Sequence, residues 1–219
     1  MWGIDRSGGG GDHAADVKKD EAKFEDGEWS DAAAAVPVDS KDPVWGSREA
    51  PVTVVVYSDY ECPYCQRVEA TLEALKEKYG PDKLRMVWKN YPLPFHKNAT
   101  PAHEAGEVVF QLGGSKAFWT FHDLAFKNRS ALTPQNFEAW AGTAGVDVAK
   151  FKADFADGKG KAKVAADIEA GKKVGVRGTP AFFINGIFIS GARPQAAFEK
   201  EIDAQLAEAK KLTAAGTPA

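Results

Sequence analysis

The chain has 219 residues, of which 44% are hydrophobic and 27% are charged, and its formal net charge is −3 at pH 7. This length supports one good hydrophobic core, and the mildly acidic balance excludes the basic field expected of proteins that bind nucleic acid or anionic membranes. No apolar run approaches the roughly 20 residues of a membrane span, and the start at Met1 lacks the features of a secretory signal.

Residues 1–42 differ in composition from the rest of the chain. Residues 7–11 are Ser and Gly, residues 16–29 are dense in charge, and no strong periodicity follows. We predict an irregular or partly helical N-terminal arm or linker. Three alternatives stay open for what precedes this arm: a removed signal peptide, a lost membrane anchor or another domain. Its aromatic residues Trp2, Phe24 and Trp29 leave two alternatives, docking onto the next domain or a second copy, and exposure in a linker.

The run from Val52 to Tyr57 is rich in β-branched residues and predicts a buried strand. After it, Pro63 suits a first helical turn, and apolar residues recur at helical spacing to Tyr79, where Gly80-Pro81 ends the pattern. Cys62 is therefore expected at a helix N-terminus. Unpaired amides and the helix dipole favour a thiolate there, which lowers the pKa of the thiol. Cys65, one turn further on, is the natural resolving thiol.

Cys62 and Cys65 are the only cysteines of the chain, and their spacing is that of a redox dithiol. A tetrahedral zinc site needs four ligands, whereas the sequence has no second cysteine pair and only four scattered histidines. An inert structural disulfide remains an alternative. If the pKa of Cys62 fell from about 8.5 to about 5, the reduced pair would gain about 2.7 kcal/mol at pH 7, about 60 mV, and the disulfide would be more oxidising.

A second strand and a helical region follow. Leu84, Met86 and Trp88 alternate with Arg85, Val87 and Lys89, which predicts the strand. Five helices are then expected, beginning at Thr100-Pro101, Ser115, Thr133-Pro134, Asp147 and residue 160. The second of these helices carries four aromatic residues that either line a peptide groove or belong to the core, and their helical spacing favours the core: Phe118, Trp119, Phe121 and Phe126.

The last segment combines a hairpin with a helix. Asn185-Gly186 between two apolar runs matches the positive φ values of a type I′ turn. Pro180 precedes the first of these strands. A cis bond there would leave the Thr179 backbone free to pair with an incoming peptide, although a trans proline is the commoner case. A final helix carries Phe198, Ile202 and Leu206.

Four stretches resemble, in the same order, the DsbA-like members of the thioredoxin-fold thiol-disulfide oxidoreductases. They are Asp59-Tyr60-Glu61-Cys62-Pro63-Tyr64-Cys65, Asn90-Tyr91-Pro92-Leu93-Pro94-Phe95-His96, Val176-Arg177-Gly178-Thr179-Pro180 and Phe182-Phe183-Ile184-Asn185-Gly186. The resemblance covers roughly residues 43–210. It implies an α/β thioredoxin fold over residues 43–219, with a helical insertion at about residues 97–174.

The same resemblance implies roles for individual residues. Cys62 would be the nucleophilic cysteine and Cys65 the resolving one, and Pro180 would be a cis proline that faces the disulfide. Substrate contacts are expected at Thr179, Pro63 and Tyr64.

The sequence departs from the family pattern in two places. Many thioredoxin-fold oxidoreductases carry a buried acid six residues before the first cysteine, where this chain has Val56. Asp59 and Glu61 are candidates to tune the cysteine pKa values instead, although solvated charges or local caps are commoner near a turn. His96 is a third candidate, since an imidazolium beside the thiolate would stabilise it, and a loop histidine without a role is the alternative. The second departure is Tyr64, since a tyrosine after the proline between the cysteines is similar to the motif of glutaredoxins.

The resemblance implies an extracytoplasmic enzyme that donates its Cys62-Cys65 disulfide to unfolded or partly folded protein thiols and is then reoxidised by an unidentified redox partner. The cysteine pair would be the only redox group, with no further cofactor, no metal and no nucleic-acid partner. We expect a periplasmic or cell-envelope location, with the signal or anchor absent from this chain. Two alternatives stay open: a reductase or isomerase of the same fold, and a non-catalytic peptide-binding or chaperone module.

Overall fold

The computed structural model describes residues 28–215, which form a five-stranded sheet with helices on both faces. The strand order is β1-β3-β2-β4-β5, with β2 and β3 parallel and the other neighbours antiparallel. The strands are β1 (Val44–Trp45), β2 (Val52–Ser58), β3 (Leu84–Asn90), β4 (Ala181–Ile184) and β5 (Ile187–Ser190). The predicted strands and hairpin are confirmed, whereas the two-residue β1 was not predicted.

Six helices connect and flank these strands in the described part of the chain: α1 (Pro63–Tyr79), α2 (Ala99–Lys127), α3 (Pro134–Thr143), α4 (Val148–Ala156), α5 (Lys161–Lys173) and α6 (Gln195–Ala214). A short 3-10 turn, Arg129–Ala131, follows α2. Helix α2 is broken at Gly114 (φ 69°, ψ −169°), so its two halves correspond to the first two predicted helices. The predicted caps are also present, since Thr133 accepts from Asn136 and Asp147 from Lys150 through their backbone N–H groups.

The main core lies between one face of the sheet and helices α1, α2 and α6. Alternate residues of β2 and β3 point into it, and the fully buried Trp88 stacks on Tyr60 with ring centroids 5.1 Å apart. The four aromatic residues of α2 considered in the sequence belong to this core: Phe118, Trp119, Phe121 and Phe126. The core interpretation is therefore confirmed.

The opposite face of the sheet is covered by residues 28–42 and by α5. Val36 and Val38 pack with the second hydrophobic cluster, and Trp29 packs against its edge. Two buried cations of β3 are paired here: Arg85 Nη2 lies 2.7 Å from Asp31 Oδ2, and Lys89 Nζ lies 2.7 Å from Asp42 Oδ1.

Every residue of β3 is consequently buried. Of the two alternatives left open for the aromatic residues of the arm, docking onto the domain is observed for Trp29, whereas Trp2 and Phe24 lie outside the described residues. The described part of the predicted arm, residues 28–42, is irregular and contains no helix.

The β4–β5 hairpin turns at Asn185 (φ 45°) and Gly186 (φ 88°), as a type I′ turn requires. The Asn185 side chain accepts from Thr53 N at 2.8 Å and donates to the Pro51 carbonyl at 3.0 Å. These bonds fix the hairpin against the start of β2. Across residues 28–215, none of the helices combines the length and apolar character needed to cross a bilayer.

Candidate active site

The two cysteines lie where β2 leads into α1. The chain turns at Asp59, whose carbonyl accepts from Cys62 N at 3.1 Å, and Cys62 is the N-cap residue of α1 in an extended conformation. Its side chain makes no capping bond, and Pro63 occupies the first turn. Both cysteines are free thiols, 3% exposed at Cys62 and fully buried at Cys65. The predicted placement at a helix N-terminus is confirmed.

The pKa of Cys62 is lowered to about 5. The largest cause is a hydrogen bond from the Cys65 thiol, which lowers the pKa. Burial opposes it, whereas the backbone N–H groups of Cys65 and Tyr64 and the Thr179 hydroxyl lower the pKa further. Donors that face the charged sulfur favour the thiolate, and their effect outweighs the cost of removing it from water. Cys62 is therefore a thiolate at neutral pH.

The pKa of Cys65 is raised well above its ordinary value, first by burial and then by its hydrogen bond to Cys62 and the negative charge there. The hydroxyls of Ser58 and Thr179 lie close enough to offset part of this rise. Ser58, the last residue of β2, was not identified from the sequence, which gives no signal beyond its position at a strand end. The pair thus combines one ionised and one protonated sulfur.

The loop before β4 faces this pair. The Thr179–Pro180 peptide bond is cis, as the family resemblance implied, and the Cys62 Sγ lies 3.6 Å from the Thr179 carbonyl oxygen. A cavity of about 310 Å³ adjoins it and is lined by residues that include Arg177, Thr179, Pro180 and Phe188. Tyr64 is 56% exposed beside Cys62. The structure thus brings Thr179 and Pro180 to the thiol, while substrate contacts at Thr179, Pro63 and Tyr64 stay a prediction.

The three candidates for pKa tuning occupy one corner of the site. Asp59 is fully buried and accepts hydrogen bonds at 2.7 Å from Glu61 N, Leu93 N and His96 Nδ1. Glu61 instead accepts from Asn98 N at 2.7 Å, at the start of α2. These contacts make the two carboxylates local anchors for the loop and helix beside the cysteines. The main causes of the low Cys62 pKa are other groups, so tuning by these three residues stays a prediction.

Asn90, at the end of β3, is the centre of a buried polar cluster that sequence reasoning missed. Its Oδ1 accepts from Trp88 Nε1 at 2.9 Å and lies 2.8 Å from His103 Nδ1, while its Nδ2 donates to Glu107 and, at 2.8 Å, to Asp167. Burial raises the pKa of Glu107 to about 7. A buried acid is therefore present in the domain, but on α2 and not at Val56.

Arg129 is a third group that the sequence did not identify. Its Nη1 donates to the Glu61 carbonyl at 2.9 Å, and its Nε donates to Gln66 Oε1 at 3.2 Å, so the guanidinium lies over the first turn of α1. Within residues 28–215, no group of three or more His, Cys, Asp or Glu side chains is arranged to hold a metal ion.

Comparison with known proteins supports this description. A family model described as Thioredoxin matches residues 39–204. The catalytic domain of Proteus mirabilis ScsC is 27% identical, with a TM-score of 0.66 over 80% of this chain and 95% of that one. A periplasmic thioredoxin-like protein from Salmonella enterica serovar Typhimurium is 26% identical, with a TM-score of 0.65 over 79% of this chain and 94% of that one.

Among curated proteins, the chain is similar to part of a much longer one. It is 40% identical over 153 residues to Na(+)/H(+) antiporter NhaA 3 of Salinispora tropica, a match that covers 69% of this chain and 23% of the antiporter. The chain therefore spans about a quarter of the length of that curated relative.

Proposed function

This chain belongs to the thioredoxin family as a DsbA-like thiol-disulfide oxidoreductase, and we propose that it acts as an oxidase that passes the Cys62-Cys65 disulfide to the thiols of folding proteins outside the cytoplasm. The low pKa of Cys62 carries this proposal. A stabilised thiolate favours the reduced pair, so the disulfide tends to accept electrons.

In the first step, a substrate thiolate attacks Sγ of Cys62 in the oxidised enzyme. A substrate–Cys62 disulfide forms, the Cys62-Cys65 bond breaks, and its electron pair goes to Cys65. Since the pKa of Cys65 is raised by burial, this sulfur takes up a proton and becomes a thiol. A protonated Cys65 attacks the mixed disulfide slowly, which gives the substrate time to react further.

In the second step, another substrate thiolate attacks the substrate sulfur of the mixed disulfide. The substrate disulfide forms and Cys62 leaves as a thiolate, for which its low pKa is favourable. The substrate has lost two electrons, and the enzyme has gained them as the Cys62-Cys65 dithiol. A redox partner that removes two electrons from this dithiol completes the cycle.

The reduction potential tests the direction of electron flow. The full chain is equilibrated in graded glutathione buffers, and the reduced fraction of Cys62-Cys65 is measured by thiol trapping. We expect a potential above about −150 mV, between protein disulfide isomerase and DsbA or higher. A potential near −250 mV or lower would contradict the oxidase and favour a reductase.

Turnover of a dithiol peptide tests whether the chain is an enzyme. We expect oxidation by the wild type and none by Cys62→Ser. Cys65→Ser gives a further check when the labelled peptide is supplied as a disulfide, because the Cys62 thiolate can attack that disulfide and form a mixed disulfide, with one peptide sulfur leaving as a thiolate, but the variant cannot release the peptide through a second sulfur of its own. Equal activity of wild type and Cys62→Ser, for example in preventing aggregation of an unfolded protein, would instead indicate a peptide-binding module with an incidental disulfide.

We place the protein in the periplasm or cell envelope, supported by the periplasmic thioredoxin-like protein of Salmonella. Thiol trapping in fractionated cells, followed by immunodetection of the protein, tests this location. If most of the protein were found in the cytoplasm with Cys62 and Cys65 reduced, the location would be contradicted. Ion exchange, named for the antiporter relative, belongs to a protein whose sequence extends far beyond the matched part. We do not extend that activity to this chain.

A further inference from the structure

Three arginines lie on the elements that border Cys62. Arg129 lies over the first turn of α1, bound to the Glu61 carbonyl at 2.9 Å and to Gln66 at 3.2 Å. On α1 itself, the Arg67 guanidinium carbon lies 5.3 Å from the ring centroid of the exposed Tyr64. The exposed Arg177 lines the cavity beside Thr179 and Pro180.

These positive charges are not neutralised by ion pairs within residues 28–215, where none of the three arginines lies within 4.0 Å of a carboxylate. The two acidic residues closest in sequence to Cys62 are otherwise engaged. Asp59 is buried and holds three donors of the neighbouring loop, while Glu61 accepts from Asn98 N. The arginines therefore keep their charge available to a ligand at the mouth of the site.

The middle of α1 is acidic, and the helix becomes basic again only in its last turn, at Lys76 and Lys78. Further along this helix, Glu69 and Glu73 line a separate cavity of about 410 Å³ together with Asp123 of α2. The protein as a whole carries a formal charge of −3. A positive surface at the Cys62 end of an otherwise acidic protein is a feature that the thiol-disulfide reaction itself does not require.

We propose that this surface, formed by Arg67, Arg129 and Arg177, selects substrate segments in which the reacting cysteine is flanked by aspartate or glutamate. The proposal rests on the proposed function and defines its substrate class. Arg177 meets residues on the Pro180 side of the substrate cysteine, and Arg67 and Arg129 meet those on the α1 side. The oxidised enzyme, which has no thiolate to offset the arginines, attracts such segments most strongly.

The size of this selectivity for acidic substrates follows from the strength of exposed ion pairs. Each pair changes an equilibrium or rate by a factor of about 1.5 to 5, and salt screens the effect. Two such pairs, one on each side of the substrate cysteine, together predict a kcat/KM about 2- to 25-fold higher for an acidic substrate than for a neutral one.

The test uses the full oxidised chain and three dithiol peptides that differ only in having glutamate, glutamine or lysine on both sides of the first cysteine. We expect the order glutamate, glutamine, lysine in kcat/KM and a smaller spread at high salt. Arg177→Gln, which breaks no hydrogen bond within the described residues, should lower the glutamate-to-glutamine ratio about threefold. Lys150→Gln, an exposed charge on α4, is the matched control and should leave the ratio unchanged.

A second measurement does not depend on turnover. The reduced protein is alkylated at pH 6 with anionic iodoacetate or neutral iodoacetamide, since Cys62 is ionised there and Cys65 is not. Arg177→Gln should lower the iodoacetate-to-iodoacetamide rate ratio relative to wild type and Lys150→Gln.

The outcomes separate the two proposals. Equal oxidation of all three peptides, with an unchanged alkylation ratio, overturns the acidic selectivity and leaves the oxidase standing. If no peptide is oxidised, the oxidase is overturned and the alkylation ratio alone decides: a fall in Arg177→Gln supports an anion-attracting surface, and an unchanged ratio overturns it.

Discussion

Replacing Cys65 should change the acidity of Cys62. The pKa of Cys62 is lowered to about 5, and the hydrogen bond from the Cys65 thiol is the largest cause. Hydrogen bonds to charged groups contribute about 1.5–3 kcal/mol, and a thiol is a weak donor, so the lower end applies. Since one pKa unit corresponds to about 1.4 kcal/mol, Cys65→Ala should raise the pKa of Cys62 from about 5 to about 6.

Thiolate absorbance at 240 nm as a function of pH measures this change, with Cys62→Ser as the blank. At pH 5.5 the ionised fraction of Cys62 should fall from about 75% to about 25% in Cys65→Ala. Cys65→Ser is the matched variant, because the serine hydroxyl can still donate a hydrogen bond to Cys62. In this variant the pKa of Cys62 should stay closer to the wild-type value. If Cys65→Ala leaves this pKa at about 5, the amides at the start of α1 are sufficient and the Cys65 donor is not needed.

Three further measurements address the rest of the domain. Lys89→Met removes one partner of the buried Asp42, while Lys163 remains 2.8 Å from the same carboxylate. The loss in unfolding free energy, measured in urea, should therefore lie somewhat below the roughly 3–5 kcal/mol that is usual for a broken buried pair. A loss under about 1 kcal/mol would contradict a stabilising role for this pair. The raised pKa of Glu107, about 7, means that the folded state holds a proton which the unfolded state has lost, so this residue lowers stability as pH rises from about 4.5 to 7. In the oxidised protein, Glu107→Gln should remove that decline, worth on the order of 3 kcal/mol, and an unchanged pH profile would refute it. For Cys62 the pKa is lowered in the folded state, so the reduced wild type should gain stability over reduced Cys62→Ser as pH rises from about 5 towards 9. The gain should reach about 2.7 kcal/mol at pH 7. A difference in unfolding free energy that does not change with pH would argue against the thiolate.

The features that the sequence predicted well have strong local signals. The β-branched run, the proline after Cys62 and the Asn185-Gly186 turn each restrict the backbone within a few residues, and all three appear as expected. The caps at Thr133 and Asp147 belong to the same class, because a capping side chain bonds to an amide only three positions away. Local backbone chemistry is therefore sufficient to place Cys62 at the start of its helix.

The features that were missed depend on contacts between distant parts of the chain. Asn90 binds Asp167, which is 77 positions away, and Arg129 reaches the Glu61 carbonyl across 68 positions. The alternation in β3 predicted a strand, but nothing in it indicated that Arg85 would be buried against residues of the N-terminal segment. Side-chain partners of this kind depend on tertiary packing, which periodicity and spacing do not encode.

The way residues 28–42 lie on the sheet determines which part of the chain can fold alone. The match to the family model begins at residue 39, and a fragment cut there would seem complete by homology. It would nevertheless lose Val36, Val38 and Asp31, which would expose apolar surface of the second face and leave Arg85 buried without its carboxylate. Such a fragment is expected to aggregate although both cysteines are present, so the independent folding unit begins before the boundary that sequence similarity marks.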